Sequence, residues 1–103
     1  MALRIVAQGT WLYSGVSETP VDIISLDYDW EYRFAKAEGQ LEHGQTPAPL
    51  NEFGVLYYAR FKNALQASEP TWPDTPGCQT IEEAMELAQR KVVEPIRWLA
   101  KLA

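Results

Sequence analysis

The sequence holds one cysteine, Cys78, and one histidine, His43. A single thiol closes no internal disulfide, which fits a reducing compartment. A solitary imidazole with no second nitrogen or sulfur ligand near it makes a poor metal site. No stretch approaches the roughly 20 apolar residues that span a bilayer. The N-terminal "MALRIVAQGTW" has Arg4 and Gln8 where the apolar run of a secretion signal would lie, so a cytoplasmic location is the expectation. Positive charge is also scarce: nine Lys and Arg stand against fourteen Asp and Glu, for a net charge of −5. The basic residues are scattered from Arg4 to Lys101, with Arg90–Lys91 the one adjacent pair. Such an acidic chain lacks the basic footprint that nucleic-acid binding through phosphates needs. No phosphate-loop, dinucleotide-loop, HExxH, paired-cysteine or serine-elbow motif occurs, and no serine has a nucleophile's context. The residues therefore assign no catalytic group, metal or cofactor.

What is present describes an ordinary globular domain. The 103 residues are 47% hydrophobic and 22% charged, the usage of one folded unit over 1–103. Leu3 to Tyr13 alternates as a strand, with Gly9 marking a bulge or a close backbone approach. "SGVSETP", residues 14–20, is a turn cluster. Within Val21 to Lys36, Ile24, Leu26, Tyr28, Trp30, Tyr32 and Phe34 occupy every even position from 24 to 34, which predicts one long strand. Residues 38–52 read mainly as loop, and Phe53–Lys62 as a third strand. The run with Pro70, Pro73 and Pro76 reads as extended polyproline chain ending in a "PG" turn.

Thr80 followed by Glu83 forms a capping box, the clearest helix start in the chain. Ile81, Met85, Ala88, Val92, Ile96 and Leu99 continue one apolar stripe, so the spacing predicts a long C-terminal helix kinked at Pro95. The expected fold is α+β: a small antiparallel sheet of three to four strands with that helix on one face.

Two groups of side chains stand out. On a strand, Asp27, Asp29 and Glu31 share a face at about 6.6–6.8 Å spacing, too wide for adjacent rungs to chelate one ion. With His43 they are candidates for the rim of a site, or for a solvated face paired with Arg33, Arg60 or Lys62. The second group is aromatic: four Trp, five Tyr and three Phe. Tyr28, Trp30, Tyr32, Tyr57, Tyr58 and Trp98 are candidates to line a pocket or to bury against a second copy, since their polar tips seek partners.

One local stretch, "PDTPGCQTIEEAMELAQ" at residues 73–89, resembles HicB-type antitoxins. That resemblance implies a small α/β domain of degraded RNase-H-like fold that neutralises an RNA-cleaving toxin protein. It covers under a fifth of the chain. In that family a further strand separates the cysteine from the threonine, whereas only Gln79 separates Cys78 from Thr80 here. Through "HGQTPAPLNEFGVLYYARFKNA" and "IEEAMELAQRKVVEPIRWLAK" the chain is also similar to small orphan proteins of bacterial integron gene cassettes. That resemblance implies an accessory role, with homo-oligomers and small-molecule pockets among its members.

The leading expectation is a soluble, non-enzymatic, cytoplasmic module that self-associates through aromatic surface. The alternatives are a small-molecule binder or enzyme with an aromatic pocket rimmed by carboxylates, and an antitoxin-like protein that binds another protein. A membrane or nucleic-acid partner is not expected.

Overall fold

The computed structural model describes residues 3–61 and 73–99. Among them are four strands: β1 (Arg4–Tyr13), β2 (Ser17–Leu26), β3 (Leu56–Phe61) and β4 (Arg97–Trp98). They form one antiparallel sheet in the order β3-β2-β1-β4. Two helices, α1 (Trp30–Ala37) and α2 (Ile81–Arg90), make the fold α+β. No helix among the described residues is long and apolar enough to cross a membrane.

The β1–β2 hairpin turns more tightly than its sequence suggests. Ser14 and Gly15 both have positive φ, 53° and 73°, and the Val16 N–H donates to Tyr13 O at 3.1 Å. That conformation matches the twist of the flanking strands, so β2 resumes already at Ser17. The irregularity of β1 lies between Ile5 and Ala7, not at Gly9. Gly9 instead provides the close approach: a Cβ there would lie 2.7 Å from Trp98 Cε3 and 2.9 Å from Arg97 O.

The central strand β2 is buried on both faces, from Val21 through Leu26. On one face Val21 and Ile23 pack with Ala7, Ala59, Cys78 and Ile96 against Ala84 and Ala88 of α2. Alanine at this i, i+4 pair lets the helix lie close to the sheet. On the other face Ile24, Leu26, Leu56 and Tyr58 form a second cluster with Ile5, Tyr28 and Trp30. Asp22 and Arg60, directly opposite in register, form a buried ion pair at 3.2 Å on this face.

Two expectations are overturned. The predicted strand over 21–36 ends at Leu26, and Trp30–Ala37 is helix. Asp29 is its N-cap, Glu31 lies in its first turn, and Gly39 at φ 69° closes it. The closing bonds, Gln40 N to Ala35 O and Gly39 N to Lys36 O, are those of a Schellman motif. No residue of α1 is fully buried. No core therefore imposes a 3.6-residue period on it, and its caps decide its conformation.

The second correction concerns the long Pro-kinked helix. The Thr80 cap is as expected, its Oγ1 accepting from Glu83 N at 3.1 Å, but α2 stops at Arg90. The Gln89 side chain then holds the departing chain: its Nε2 donates to Glu94 O and its Oε1 accepts from Ile96 N, each at 2.9 Å. Pro95 disfavours helix at Glu94. Ile96 re-enters the core, and Arg97–Trp98 pair with Thr10 and Gly9. The expected end of that helix beyond residue 99 lies outside the described residues, as do Lys62 of the third strand and Pro70 of the proline run.

Residues 74–78 do more than run over the surface. They close the outer edge of β3. The Tyr57 N–H and C=O bond to Cys78 O and N at 2.9 and 2.8 Å, and Ala59 O accepts from Asp74 N at 2.8 Å. The Ala59 and Phe61 N–H groups donate to Thr75 Oγ1 and Asp74 Oδ2. An edge so covered is unavailable for pairing with another chain.

Candidate functional site

The start of α1 organises a cleft into which three predicted site residues, Tyr28, Asp29 and Tyr32, converge. Asp29 Oδ1 accepts from Tyr32 N at 3.1 Å, satisfying a free donor of the first turn. Its Oδ2 accepts from Ala48 N at 2.8 Å and so ties the 41–50 loop to the helix. The same loop is held from its other side, where Gln79 Nε2 donates to Pro49 O at 2.8 Å. Asn51 Nδ2 returns a bond to Gln79 O at 3.1 Å. Beneath α1, the Tyr58 hydroxyl accepts from Trp30 N at 2.9 Å. Burial raises the Tyr58 pKa to about 12, with Asp29, Glu31 and Tyr28 adding to the shift and the Trp30 N–H opposing it. The hydroxyl therefore stays protonated at neutral pH.

Between α1 and the tethered loop lies a cleft of about 320 Å³. Tyr28, Asp29, Tyr32, Arg33 and Lys36 form one wall, and Pro47, Ala48 and Leu50 the other. The volume is at the small end of ordinary ligand pockets. The Arg33 guanidinium lies over the Tyr28 ring, 3.8 Å from its centroid. Lys36, one helical turn further on, is exposed. Asp29 is the only carboxylate in the wall, and both its oxygens already accept backbone N–H bonds.

The other candidates go elsewhere. The acidic ladder does not exist: Asp27 is exposed in a bend, Asp29 caps α1, and Glu31 points to solvent from its first turn. Glu31 has its pKa raised, by desolvation first and by Asp29 second. His43 is exposed in a turn closed by Gln45 N to Glu42 O, and does not line the cleft. Arg60 pairs with Asp22 and not with any member of the ladder. Trp30 turns to the Leu26–Leu56 cluster and stacks on Phe34, centroids 5.0 Å apart. Tyr58 is wholly buried. Tyr57 packs on the opposite sheet face, beside α2, and Trp98 packs against Gly9 on β4. Cys78 is buried, and burial followed by the charge of Glu83 raises its pKa, which suppresses the thiolate. Among the described residues no group of three or more His, Cys, Asp and Glu side chains could hold a metal ion.

Arg33, Lys36 and the loop residues Pro47, Ala48 and Leu50 were missed as site residues. The signal for them was local. Asp29 as a helix start and Gly39 as a helix stop place Tyr32 and Arg33 each about one turn from Lys36 on a helix.

Compared with protein-family models, with curated proteins and with solved structures, the chain matches none.

Proposed function

We propose that the protein is a binding module for a small molecule, taken up in the cleft between α1 and residues 47–50. One observation carries this reading: the cleft's walls are fixed before any ligand arrives. Asp29, Gln79 and Tyr58 anchor the loop and the helix by hydrogen bonds. A preformed cleft spares a ligand the cost of ordering its site. The two tyrosines supply broad contact surface with a polar tip, suited to a flat organic molecule. The single carboxylate is committed to structure, so the site reads as one for holding rather than transforming its ligand.

The test is to map amide chemical shifts while titrating the protein with bicyclic aromatic compounds, neutral and charged of either sign. Shifts confined to residues 28–36 and 48–50, and lost in Tyr32→Ala, support the reading. Shifts spread evenly over the surface, or none at millimolar ligand, overturn it.

A second reading, self-association, is favoured by the β1 edge. β1 is ten residues long, yet among the described residues β4 pairs with Gly9 and Thr10, and Leu99 N donates to Gln8 O at 2.8 Å. Since residues 74–78 close the β3 edge, a second copy would add its strand beside β1 and β4. The buried Tyr58 takes no part in such contact. Sedimentation at micromolar concentration checks this: a dimer supports it, and a monomer at every concentration removes it.

A further inference from the structure

We infer that the ligand of the α1 cleft is a planar aromatic anion, its ring against Tyr32 and Leu50 and its carboxylate held by Arg33 and Lys36. The inference rests on the reading of the cleft as a ligand site and adds the chemical class.

Asp29 is engaged by backbone donors, its Oδ1 and Oδ2 receiving the Tyr32 and Ala48 N–H groups and each keeping one further lone pair. Its single negative charge is outnumbered in the wall by Arg33 and Lys36. The two cations are differently placed. Arg33 rests its planar face on Tyr28 at 3.8 Å. Stacking uses the face of a guanidinium and leaves the N–H donors round its edge directed outward, the geometry that grips a carboxylate with two parallel bonds. Among the described residues neither Arg33 nor Lys36 is paired with a carboxylate. Of the other described arginines, Arg60 is paired with Asp22 and Arg90 with Glu86. In a chain of net charge −5, two unmatched cations on one wall of a preformed cleft form a local reversal of sign. Residues three apart on a helix have side chains roughly 5–6 Å apart at Cβ, close enough for both to reach one anionic group.

The apolar part of the cleft fixes the rest of the ligand. Tyr32, Pro47, Ala48 and Leu50 offer flat and aliphatic surface on both sides. A volume of about 320 Å³ admits one or two fused rings but not an extended polymer.

Three probes of one shape and different charge test this: 2-naphthoate, 2-naphthylmethanol and 2-naphthylmethylammonium, each titrated calorimetrically with amide shifts recorded in parallel. The expected result is that naphthoate binds roughly tenfold or more tighter than the alcohol, the gain of a charge-assisted bond over a neutral contact. Arg33→Gln and Lys36→Gln should each remove most of that advantage, read as the ratio of naphthoate to alcohol affinity in the same variant. Both side chains are exposed, and unchanged amide spectra of the free variants confirm that they fold. Equal affinity for naphthoate and the alcohol overturns the anion while leaving the cleft a ligand site. Preference for the ammonium overturns it too. Binding of none of the three removes both the anion and the ligand-site reading.

Discussion

The hydroxyl of Tyr58, at the centre of the sheet's second cluster, accepts a hydrogen bond from the backbone N–H of Trp30 at 2.9 Å, joining β3 to the first residue of α1. Tyr58 is therefore both a core ring and a cap. Tyr58→Phe keeps the ring, deletes the cap and the longer bond the hydroxyl donates to Tyr28 O at 3.5 Å, and should cost about 1–2 kcal/mol at neutral pH. The pH dependence has a definite sign. The Tyr58 pKa is about 12 against an ordinary 10.0, so the folded protein retains a proton that the unfolded chain releases. Stability from this source is complete below pH 10 and is lost as pH rises toward 12, about 2–3 kcal/mol over the interval. Urea unfolding from pH 8 to 11.5 should show a steeper alkaline decline in the parent than in Tyr58→Phe. Parallel curves would show that the hydroxyl does not titrate with folding.

Asp29 does two jobs with two oxygens, and one substitution separates them. In Asp29→Asn the side-chain oxygen can still accept from Tyr32 N, but the amide nitrogen cannot accept from Ala48 N. Hydrogen exchange at Ala48 should speed up while Tyr32 stays protected. Asp29→Ala removes both bonds and should cost about 0.5–2 kcal/mol through the lost cap alone. It should also release the loop wall of the cleft. If Ala48 exchanges equally fast in the parent and in Asp29→Asn, the loop is held by something other than this carboxylate.

How much of this was legible depended on whether a core imposed the pattern. β1, β3 and the Thr80 helix start follow from periodicity and capping because buried neighbours or a local motif enforce each. The stretch from Asp27 to Phe34 misleads because its helix buries no residue completely, so alternation there carries no information about which side faces protein. Its true signals were the ends, Asp29 and Gly39. The C-terminal stripe misleads differently. Ile96 does reach the core, as a helical stripe demands, but it arrives after a turn braced by Gln89. A side chain that bonds two backbone groups several residues away leaves no periodic trace. The cleft was half legible for the same reason: Tyr28, Asp29 and Tyr32 were singled out, whereas the loop wall depends on bonds from Asp29 and Gln79 across 19 and 30 residues of sequence.

Gly9 carries the attachment of β4. A methyl group there would lie 2.7 Å from the Trp98 ring and 2.9 Å from Arg97 O, distances at which something must move. Because one obstacle is backbone, the strand itself has to shift. Gly9→Ala should destabilise the fold by about 1–3 kcal/mol, as overpacked sites do. It should also move the Trp98 indole toward water, read as an emission shift that Trp98→Phe abolishes. An unchanged spectrum with unchanged stability would mean that β4 accommodates the methyl without leaving β1.

Thr75 guards the other edge of the sheet. Its buried hydroxyl oxygen accepts from Ala59 N at 2.9 Å, inside the segment that covers β3. Thr75→Val preserves the shape and removes the acceptor, leaving a buried N–H without a partner at a cost of about 1–3 kcal/mol. Thr75→Ser keeps the acceptor and should recover most of that loss. The two variants differ in a second respect if the segment is what keeps β3 from pairing with other chains. Loosening it in Thr75→Val should expose the Tyr57, Ala59 and Phe61 backbone groups together, since residues 74–78 satisfy all three. Exchange at those three amides should then accelerate in concert, with association that grows with concentration. In Thr75→Ser neither should occur. Acceleration at Ala59 alone would show that the segment is held residue by residue rather than as a unit, and that Asp74 and Cys78 suffice to protect the edge.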